Sequence, residues 1–312
     1  MNILLTGATG FIGSEMARQL NLKQETRLAL ALRSPKTMTE GLIHVVGDLT
    51  ADTDWSVALK DQQVVIHTAA RAHIMKDEVV DPVLEYCRVN VDGTLNLAKQ
   101  AAAAGVRRFI FISSIGVNGN INTGPFTAAD QPEPVDAYAQ SKWMAEQGLW
   151  RIQNETGMEL VIIRPPLVYG ANAPGNFSAL MRWVKRGVPL PLGAVHNKRT
   201  LIGLDNLVDL VIRCIDHPAA ANQMLLAGDG EDISTTELLR GVAKAMGRPA
   251  RLIPVPVTWL KLAATLIGKK ATAEKLLGSL QVDISKTREL LGWEPPVTVE
   301  EGLKRCFRDT IA

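Results

Sequence analysis

The sequence predicts an α/β fold in which a doubly wound parallel sheet is followed by a smaller C-terminal lobe. Short apolar runs alternate with helical patterns through the first half of the chain, which is typical of β-α-β units. Several runs are apolar without a break, as expected for strands that helices cover on both faces. After Arg164 the pattern changes, because proline and glycine become frequent in segments such as RPPLVYGANAPGN.

The first lobe is predicted to be a domain formed by residues 1–164, to which the chain returns near 205–227. The second lobe is predicted mainly at 165–312. The predicted strands are Asn2–Thr6, Arg27–Leu32, Ile43–Val46, Val64–His67, Arg108–Ile112 and Leu160–Ile163. The predicted helices lie near Phe11–Leu22, Trp55–Lys60, Asp81–Ala104 and Asp136–Glu155.

Composition and charge exclude several classes of protein. The chain has 312 residues, 46% of them apolar, which is ample for a sizeable core. The formal net charge is +2 and no long basic run occurs, so nucleic acid is not an expected partner. Cys87, Cys214 and Cys306 lack metal-ligand spacing, as do the histidines, so we expect buried thiols and no metal site. A reducing, cytoplasmic location follows from this reading.

The most apolar late stretch is Pro256–Gly268, which Lys261 interrupts and which is too short to span a bilayer. The first residues also lack the basic segment and the long apolar run of a signal peptide. We therefore expect no stable membrane insertion. The stretch is predicted to be a helix packed on the core, and a helix that lies on a membrane surface or covers a pocket is the alternative.

A glycine-rich segment, TGATGFIG, follows the first predicted strand directly and opens the first predicted helix. Gly7 permits a tight turn, Gly10 lets the backbone approach a pyrophosphate, and Gly13 lets the helix pack close to the strand. The pyrophosphate would then meet unpaired amides at the helix N-terminus. The first lobe is therefore predicted to bind a dinucleotide, as a Rossmann fold does.

The end of the second predicted strand bears on which dinucleotide is bound. An NAD-preferring site places an acidic residue there, about 20 residues after the glycines, to bind the ribose 2′-hydroxyl. Here Arg33 holds that place, with Ser34 and Lys36 nearby. An arginine binds a 2′-phosphate through charge-assisted hydrogen bonds, so NADP(H) is favoured. NAD(H) is the alternative if Arg33 is only a solvated residue at a strand end.

Tyr138 and Lys142 are four residues apart in a predicted helix, so their side chains share one face. A neighbouring cation stabilises a phenolate and would pull the tyrosine pKa from about 10 toward neutrality. A tyrosine with such a pKa can exchange a proton with an alcohol or a ketone. The pair therefore predicts an acid/base centre, and a surface pair without a catalytic role is the alternative.

The ordered motifs together resemble the extended short-chain dehydrogenase/reductase family, also described as the NAD-dependent epimerase/dehydratase family. The resemblance covers essentially the whole chain. It implies a Rossmann domain for the cofactor and a C-terminal lobe for a nucleotide-activated sugar. The motifs are TGATGFIG, GDL at Gly47–Leu49, HTAA at His67–Ala70, Asn90 in RVNVDGT, Ser113 and Ser114 after a strand, Tyr138 with Lys142, RPPLVYG at Arg164–Gly170, and LGWEPP.

The resemblance also implies roles for individual residues. Tyr138 would be the catalytic acid/base, Lys142 would bind the nicotinamide ribose, and Ser114 would hydrogen-bond the reacting oxygen, with Ser113 as the adjacent alternative. The cofactor would contact Gly7, Thr9, Gly10, Phe11, Ile12, Gly13, Arg33, Asp48, Leu49, Ala69, Ala70, Asn90, Tyr138, Lys142 and Pro165. The substrate would contact Ser114, with Asn176 and Arg199 at its diphosphate, and Arg71 and His73 are further candidates to line the sugar pocket.

Three reactions of the family compete. A dehydratase needs an acid and a base directly after the serine, where Ile115 and Gly116 cannot move protons. A 4-epimerase and a 4-ketoreductase use the same tyrosine. Because Arg33 favours a dissociable NADPH, the sequence favours the reductase. Local motifs such as VNG after the serines, RAHIMKDE and GSLQVDIS are similar to those of bacterial polysaccharide-cluster enzymes. That resemblance implies reduction of the C4 ketone of a UDP-4-keto-6-deoxy-N-acetylhexosamine in cell-surface polysaccharide synthesis. The main alternative is a UDP-hexose 4-epimerase with tightly bound NAD.

The sequence gives less support to two other classes of protein. A reductase of non-nucleotide substrates is a lesser alternative. An NADP-binding regulator without catalysis is disfavoured, because this chain keeps both Tyr138 and Lys142. A homodimer is expected from the resemblance, formed through the helices predicted at Asp81–Ala104 and Asp136–Glu155.

Overall fold

The structure, a computed structural model, describes residues 1–36, 38–72 and 81–307, without the side chains of Pro82, Asn176, Ala271 and Thr272. Its strands are β1 (Asn2–Thr6), β2 (Arg27–Leu32), β3 (Leu42–Val45), β4 (Val64–His67), β5 (Arg108–Ile112), β6 (Glu159–Arg164), β7 (Leu167–Tyr169), β8 (Arg199–Gly203), β9 (Gln223–Leu226) and β10 (Asp232–Ile233). The six strands predicted from sequence are present, each within one residue of its predicted bounds.

The described helices surround these strands. They are α1 (Phe11–Asn21), α2 (Ser56–Leu59), α3 (Pro82–Cys87), α4 (Thr94–Ala103), α5 (Ala137–Thr156), α6 (Asn176–Arg186), α7 (Leu204–Cys214), α8 (Thr235–Ala245), α9 (Val257–Leu266), α10 (Lys270–Leu277), α11 (Ser285–Leu291) and α12 (Val299–Arg305). A π-helical segment at Arg88–Gly93 joins α3 to α4, so the single helix predicted at Asp81–Ala104 contains a wider turn at its centre.

The central sheet is parallel, and its strand order is β3-β2-β1-β4-β5-β6-β9. The order reverses direction between β1 and β4, where Thr6 is paired with His67 at the ends of the two strands. Ligands of doubly wound sheets bind beyond the carboxyl ends of the strands at such a switch point. The predicted doubly wound α/β fold is confirmed.

Helices cover both faces of the sheet. Along β1, Ile3 and Leu5 belong to one buried apolar cluster and Leu4 to another, because successive side chains of a strand point to opposite faces. Cys214 and Cys306 are buried free thiols, as predicted, whereas Cys87 is only half-buried. The unbroken apolar runs in the sequence therefore correspond to strands that are buried on both sides.

The second half of the chain contributes to the sheet and also builds a smaller layer. Strand β9 is the seventh strand of the sheet, whereas β10, β8 and β7 form a separate three-stranded sheet with its own apolar cluster. The boundary placed at Arg164 remains a prediction. Within the described residues, no helix combines the length and the apolar character that crossing a bilayer requires.

Helix α9 occupies most of Pro256–Gly268 and packs on the core along one side only. None of its residues is fully buried, although Val257 and Leu260 pack against the apolar cluster of the second lobe. Only Val257, Leu260 and Ala264 are half-buried, because the helix touches the rest of the protein along one narrow side.

Candidate active site

The glycine-rich turn between β1 and α1 is shaped by two close approaches. Gly7 has a φ of +75°, and a Cβ atom there would lie 2.7 Å from the backbone nitrogen of Ala69. A Cβ on Gly13 would lie 2.1 Å from the carbonyl oxygen of Gly7. Gly10 precedes α1 without a side-chain cap, so no side chain at this position satisfies the first amides of the helix. This geometry suits a bound pyrophosphate.

The remaining predicted residues of the turn divide into two pairs. Thr9 and Gly10 are exposed at its tip, whereas Phe11 and Ile12 are half-buried and pack against apolar clusters. On the neighbouring strand β4, the chain continues into the half-buried Ala69 and Ala70. The structure therefore brings the first and fourth strand ends together at the predicted dinucleotide position.

Arg33 does not have the surroundings expected of a phosphate-binding arginine. Its side chain is 80% exposed, and its Nε atom lies 3.9 Å from a carboxylate oxygen of Asp48, which is 68% exposed. The two residues come from the ends of neighbouring segments after β2 and β3. A 2′-phosphate beside Arg33 would therefore also meet a carboxylate, which repels it.

Asn90 lies in the π-helical segment and is buried. Its side-chain oxygen accepts a hydrogen bond from the Arg71 backbone nitrogen, and its amide donates to the Arg71 carbonyl and to the Ser141 hydroxyl. Ser141 in turn donates to the carbonyl oxygen of Tyr138. Asn90 thus connects the segment after β4 to helix α5.

In the π-helical segment, Gly93 leaves room for Leu49, since a Cβ on Gly93 would lie 2.6 Å from Leu49 Cγ.

His67 is a buried structural residue, and both nitrogens of its ring are hydrogen-bonded. Its two ring nitrogens lie 2.7 Å from the hydroxyl of Thr6 and 2.9 Å from that of Thr94. Burial, with a contribution from nearby Lys142, lowers the pKa of His67 to about 3. The imidazole is therefore neutral at physiological pH.

The two serines after β5 have different surroundings. Ser113 is buried and donates a hydrogen bond to Glu146 of α5. Ser114 is half-buried, and its hydroxyl oxygen accepts a hydrogen bond of 3.1 Å from the Gly116 backbone nitrogen, so its proton remains available to a ligand. Next to it, Ile115 donates 2.9 Å to the carbonyl oxygen of Pro165, the predicted cofactor residue that follows β6.

Glu146 is the centre of a buried polar network that the sequence reasoning missed. Its carboxylate forms two hydrogen bonds with Arg164, at 2.5 and 3.0 Å, and both side chains are almost fully buried. Arg164 also donates to the Asn118 side chain at 2.9 Å. The available signal was the four-residue spacing from Lys142 to Glu146, which repeats the spacing from Tyr138 to Lys142.

Lys142 is only 2% exposed, although lysines are rarely buried in proteins. Its ammonium donates 2.8 Å to the carbonyl oxygen of Ile112 and lies 4.4 Å from the centre of the Phe111 ring. Burial lowers the pKa of Lys142 to about 7, and the charge of Glu146 acts in the opposite direction. The group is therefore close to half-protonated at neutral pH.

The predicted lowering of the Tyr138 pKa is not what the structure shows. Burial raises the pKa of the Tyr138 phenol above its usual value, and the negative charges that Asp136 and Tyr86 carry when ionised act in the same direction. The Tyr86 ring meets the Tyr138 ring edge-on at 6.1 Å. The physical reason is that burial removes water from the phenolate and so disfavours the charged form. Tyr138 is set as a proton donor in this state.

The residues predicted at the substrate diphosphate belong to the second lobe. Arg199 begins β8, is half-buried, and donates to the carbonyl oxygens of Lys275 and Gly278 at 2.7 and 3.1 Å. Burial lowers the pKa of its guanidinium. Among the described residues, no carboxylate is within ion-pair distance of Arg199. Asn176 begins α6, but its side chain lies outside the description, as does the whole of His73.

Comparison with known proteins identifies the family. Residues 3–228 match the sequence profile of the NAD dependent epimerase/dehydratase family. The chain belongs to this family. It is 48% identical over 307 residues to a UDP-glucose 4-epimerase from Vibrio cholerae, covering 97% of this chain and 94% of that protein.

Solved structures of the epimerase/dehydratase family have the same fold. The UDP-glucose 4-epimerase of Thermotoga maritima, solved with UDP-glucose, has a TM-score of 0.78 at 23% identity and covers 100% of both chains. A UDP-glucuronic acid 4-epimerase from Bacillus cereus, solved with NAD, has a TM-score of 0.80 at 22% identity and covers 98% of this chain and 96% of that one.

One prediction from the sequence needs correction, and a second lacks support. The 48% identical relative is a 4-epimerase, which contradicts the predicted C4-ketone reductase and favours the alternative. The predicted preference for NADP(H) is not supported, and the Bacillus cereus enzyme described above was solved with NAD. Both predictions depended on Arg33, whose exposed guanidinium shares its surroundings with the Asp48 carboxylate.

Proposed function

We propose that this enzyme interconverts the C4 epimers of a UDP-hexose, using NAD that stays bound through the reaction. The observation that carries the proposal is the 48% identity to a UDP-glucose 4-epimerase across 97% of the chain. The geometry supports it. Ser114 lies just beyond the carboxyl end of β5, and Tyr138 and Lys142 lie in α5, where the Lys142 ammonium donates to the last residue of β5. The cofactor would lie on residues 1–164 and the sugar nucleotide against 165–312.

The residues of the glycine turn fit a dinucleotide, since added Cβ atoms at Gly7 and Gly13 would fill the close approaches there. When bound, NAD supplies a hydride acceptor for C4 and, in its oxidised form, a positive charge. Arg199 would pair with the substrate diphosphate, because its cation is half-buried and its described partners are carbonyl oxygens.

Proton transfer would fall to Tyr138. The Tyr138 phenolate would take the proton of the C4 hydroxyl when C4 is oxidised, and the phenol would return that proton to the same oxygen when the ketone is reduced from its opposite face. Ser114 would donate a hydrogen bond to this oxygen where charge develops. Because one proton leaves and returns at one oxygen, no second acid is required, which fits Ile115 and Gly116 after the serine.

The raised pKa of Tyr138 sets a condition on this mechanism. The phenol must lose its proton before it can act as a base, so the site needs positive charge close to it. Protonated Lys142 and the oxidised cofactor would supply that charge together. The free protein would therefore hold a protonated tyrosine, and the deprotonated form would be favoured only in the complex.

A homodimer and a place in cell-surface polysaccharide synthesis remain proposals. The dimer is supported by exposed apolar side chains on the two helices expected to meet, namely Val83 and Leu84 on α3 and Met144 on α5. Analytical ultracentrifugation of the purified chain tests it.

The activity is tested by incubating the purified protein with UDP-glucose alone and following UDP-galactose by NMR. Turnover without added cofactor, together with NAD released on denaturation and identified by mass spectrometry, is the expected result. The Tyr138→Phe variant should lose activity by about 10²- to 10⁴-fold while it retains NAD. A requirement for stoichiometric NAD(P)H and a keto sugar would overturn the proposal.

A further inference from the structure

Helix α9 presents apolar side chains to solvent. Trp259, Leu262 and Leu266 are 67%, 56% and 80% exposed. They follow one another at spacings of three and four residues, so they form one continuous stripe along the helix. The stripe lies opposite the half-buried residues Val257 and Leu260, by which α9 touches the rest of the lobe.

This exposure is unusual for a helix of such composition. A surface helix ordinarily turns its apolar side to the core and its polar side to solvent. Isolated exposed leucines are common on protein surfaces, but contiguous exposed apolar side chains mark interaction sites. Ile267, directly after α9, is also 67% exposed. The outer face of α9 therefore lacks the covering that its composition calls for.

The segment of the chain that contains α9 is strongly basic. Residues 248–275 contain six basic residues and one acidic residue, while the whole chain contains 34 and 32. The segment thus carries +5, and the rest of the chain carries −3. The basic residues are Arg248, Arg251, Lys261, Lys269, Lys270 and Lys275.

Few of these charges are neutralised nearby. Lys270 lies 3.9 Å from Glu274, the one acidic residue of the segment, and both side chains are largely exposed. Lys275 lies 3.3 Å from Asp136, which precedes helix α5. An apolar stripe with an interfacial tryptophan, flanked by lysines, is the pattern of helices that lie in the surface of acidic bilayers.

We propose that α9 attaches the protein to the surface of an anionic lipid bilayer, with Trp259, Leu262 and Leu266 in the acyl boundary and the lysines at the headgroups. A second copy of the chain fits this face less well. A two-fold symmetric contact through α9 would bring two segments of charge +5 against each other. A bilayer that carries negative headgroups complements both the apolar stripe and the charge.

The surface is connected to the substrate side of the protein. Helix α10 packs against α9, and its Lys275 pairs with Asp136, which caps α5 two residues before Tyr138. Arg199 donates to the Lys275 carbonyl oxygen. Attachment through α9 would therefore hold Arg199 and the start of α5, both on the proposed substrate side, toward the lipid surface.

Vesicle co-sedimentation of the full-length protein tests the proposal. The probe is phosphatidylethanolamine vesicles containing phosphatidylglycerol and cardiolipin, compared with phosphatidylcholine vesicles at low and high salt. We expect sedimentation with the acidic vesicles and its reduction by salt. The Trp259→Ser/Leu266→Ser variant should bind at least about ten-fold more weakly. The Lys269→Glu/Lys270→Glu variant should lose at least about 25-fold, five-fold for each removed charge.

Matched variants separate this face from general surface effects. Leu22→Ser/Val57→Ser changes equally exposed apolar residues of the first lobe, and Lys23→Glu/Lys60→Glu changes exposed lysines there. Both should sediment as the wild type does, and all variants should keep wild-type circular dichroism and epimerisation of UDP-glucose in solution. Absence of sedimentation with acidic vesicles overturns the proposal. Loss of a dimer in Trp259→Ser/Leu266→Ser, with vesicle binding unchanged, overturns it in favour of a second copy.

Discussion

The hydroxyl of Ser113 donates a hydrogen bond to the carboxylate of Glu146, and both groups are buried. This contact occupies the Ser113 hydroxyl inside the protein. We therefore expect the neighbouring Ser114 to be the serine that contacts a substrate. The sequence alone left the two residues as alternatives. Consecutive residues at a strand end point to opposite sides, and the sequence does not say which side faces the substrate.

The two serines should therefore fail in different ways when replaced. Ser114→Ala removes a hydrogen bond to the reacting oxygen, and we expect kcat to fall about 10²- to 10³-fold with an unchanged urea midpoint. Ser113→Ala should lower the free energy of unfolding by about 1 to 3 kcal/mol, because Glu146 loses a buried donor. Steady-state kinetics and urea titrations on both variants check the assignment. The reverse pattern would make Ser113 the catalytic serine.

Glu146 should matter chiefly to stability. Glu146→Leu leaves the Arg164 guanidinium buried without its carboxylate, and we expect a loss of about 3 to 5 kcal/mol in the free energy of unfolding. Glu300→Gln is the matched control, since Glu300 pairs with Lys244 and Lys304 on the surface, and its urea midpoint should stay within error of the wild type. Equal effects of the two changes would contradict the importance of the buried network.

Lys142 makes stability depend on pH. Its pKa in the folded protein is about 7, against 10.5 ordinarily, so between these values the unfolded chain binds more protons. The contribution of Lys142 to stability therefore rises with pH from about 7 to 10, by at most about 1.4 kcal/mol per pH unit. Urea unfolding of the wild type and of Lys142→Met at several pH values measures this difference. Parallel curves for the two proteins would show that the buried ammonium keeps an ordinary pKa.

The Asp48 carboxylate beside Arg33 should weaken the affinity of the protein for NADP. Asp48→Asn removes the carboxylate that a 2′-phosphate would meet, and we expect NADP affinity to rise by up to about ten-fold while NAD affinity changes little. Because both side chains are exposed, the gain should shrink at high salt. Calorimetric titration of both cofactors at two salt concentrations provides the measurement. A wild-type preference for NADP would restore the interpretation that the sequence first favoured.

The sequence predicted the sheet well because its strands are buried on both faces and are therefore apolar without interruption. It also predicted the tight turn at Gly7 and the close packing at Gly13, because the positive φ of Gly7 and the contact of Gly13 with the Gly7 carbonyl belong to one local turn. The close approach of Gly7 to Ala69 joins two strands and could not be read from that turn. It failed where a property depends on what lies beside a residue in space. The exposure of Arg33, the Asp48 carboxylate next to it, and the burial that raises the Tyr138 pKa are all of this kind.

The C-terminal lobe was harder to predict for a related reason. Helix α9 has the composition of a core helix, and composition does not say whether a core is available to cover it. Glu146 could have been found from its spacing to Lys142, but not its bond to Arg164, which is 18 residues away in sequence. The predicted reduction depended on the interpretation of Arg33, and the 48% identity to a 4-epimerase contradicts that reaction.

The π-helical segment at Arg88–Gly93 has a consequence for the phase of the helices on either side of it. A wide turn accommodates an extra residue, and each residue of an α-helix corresponds to a rotation of about 100°. Deleting one residue here would rotate α3 relative to α4 by that angle. Asn90 could then not face Arg71 and Ser141 while Thr94 still reached His67. The segment acts as a spacer that lets one continuous helix serve two differently oriented contacts, and its length is as constrained as its composition.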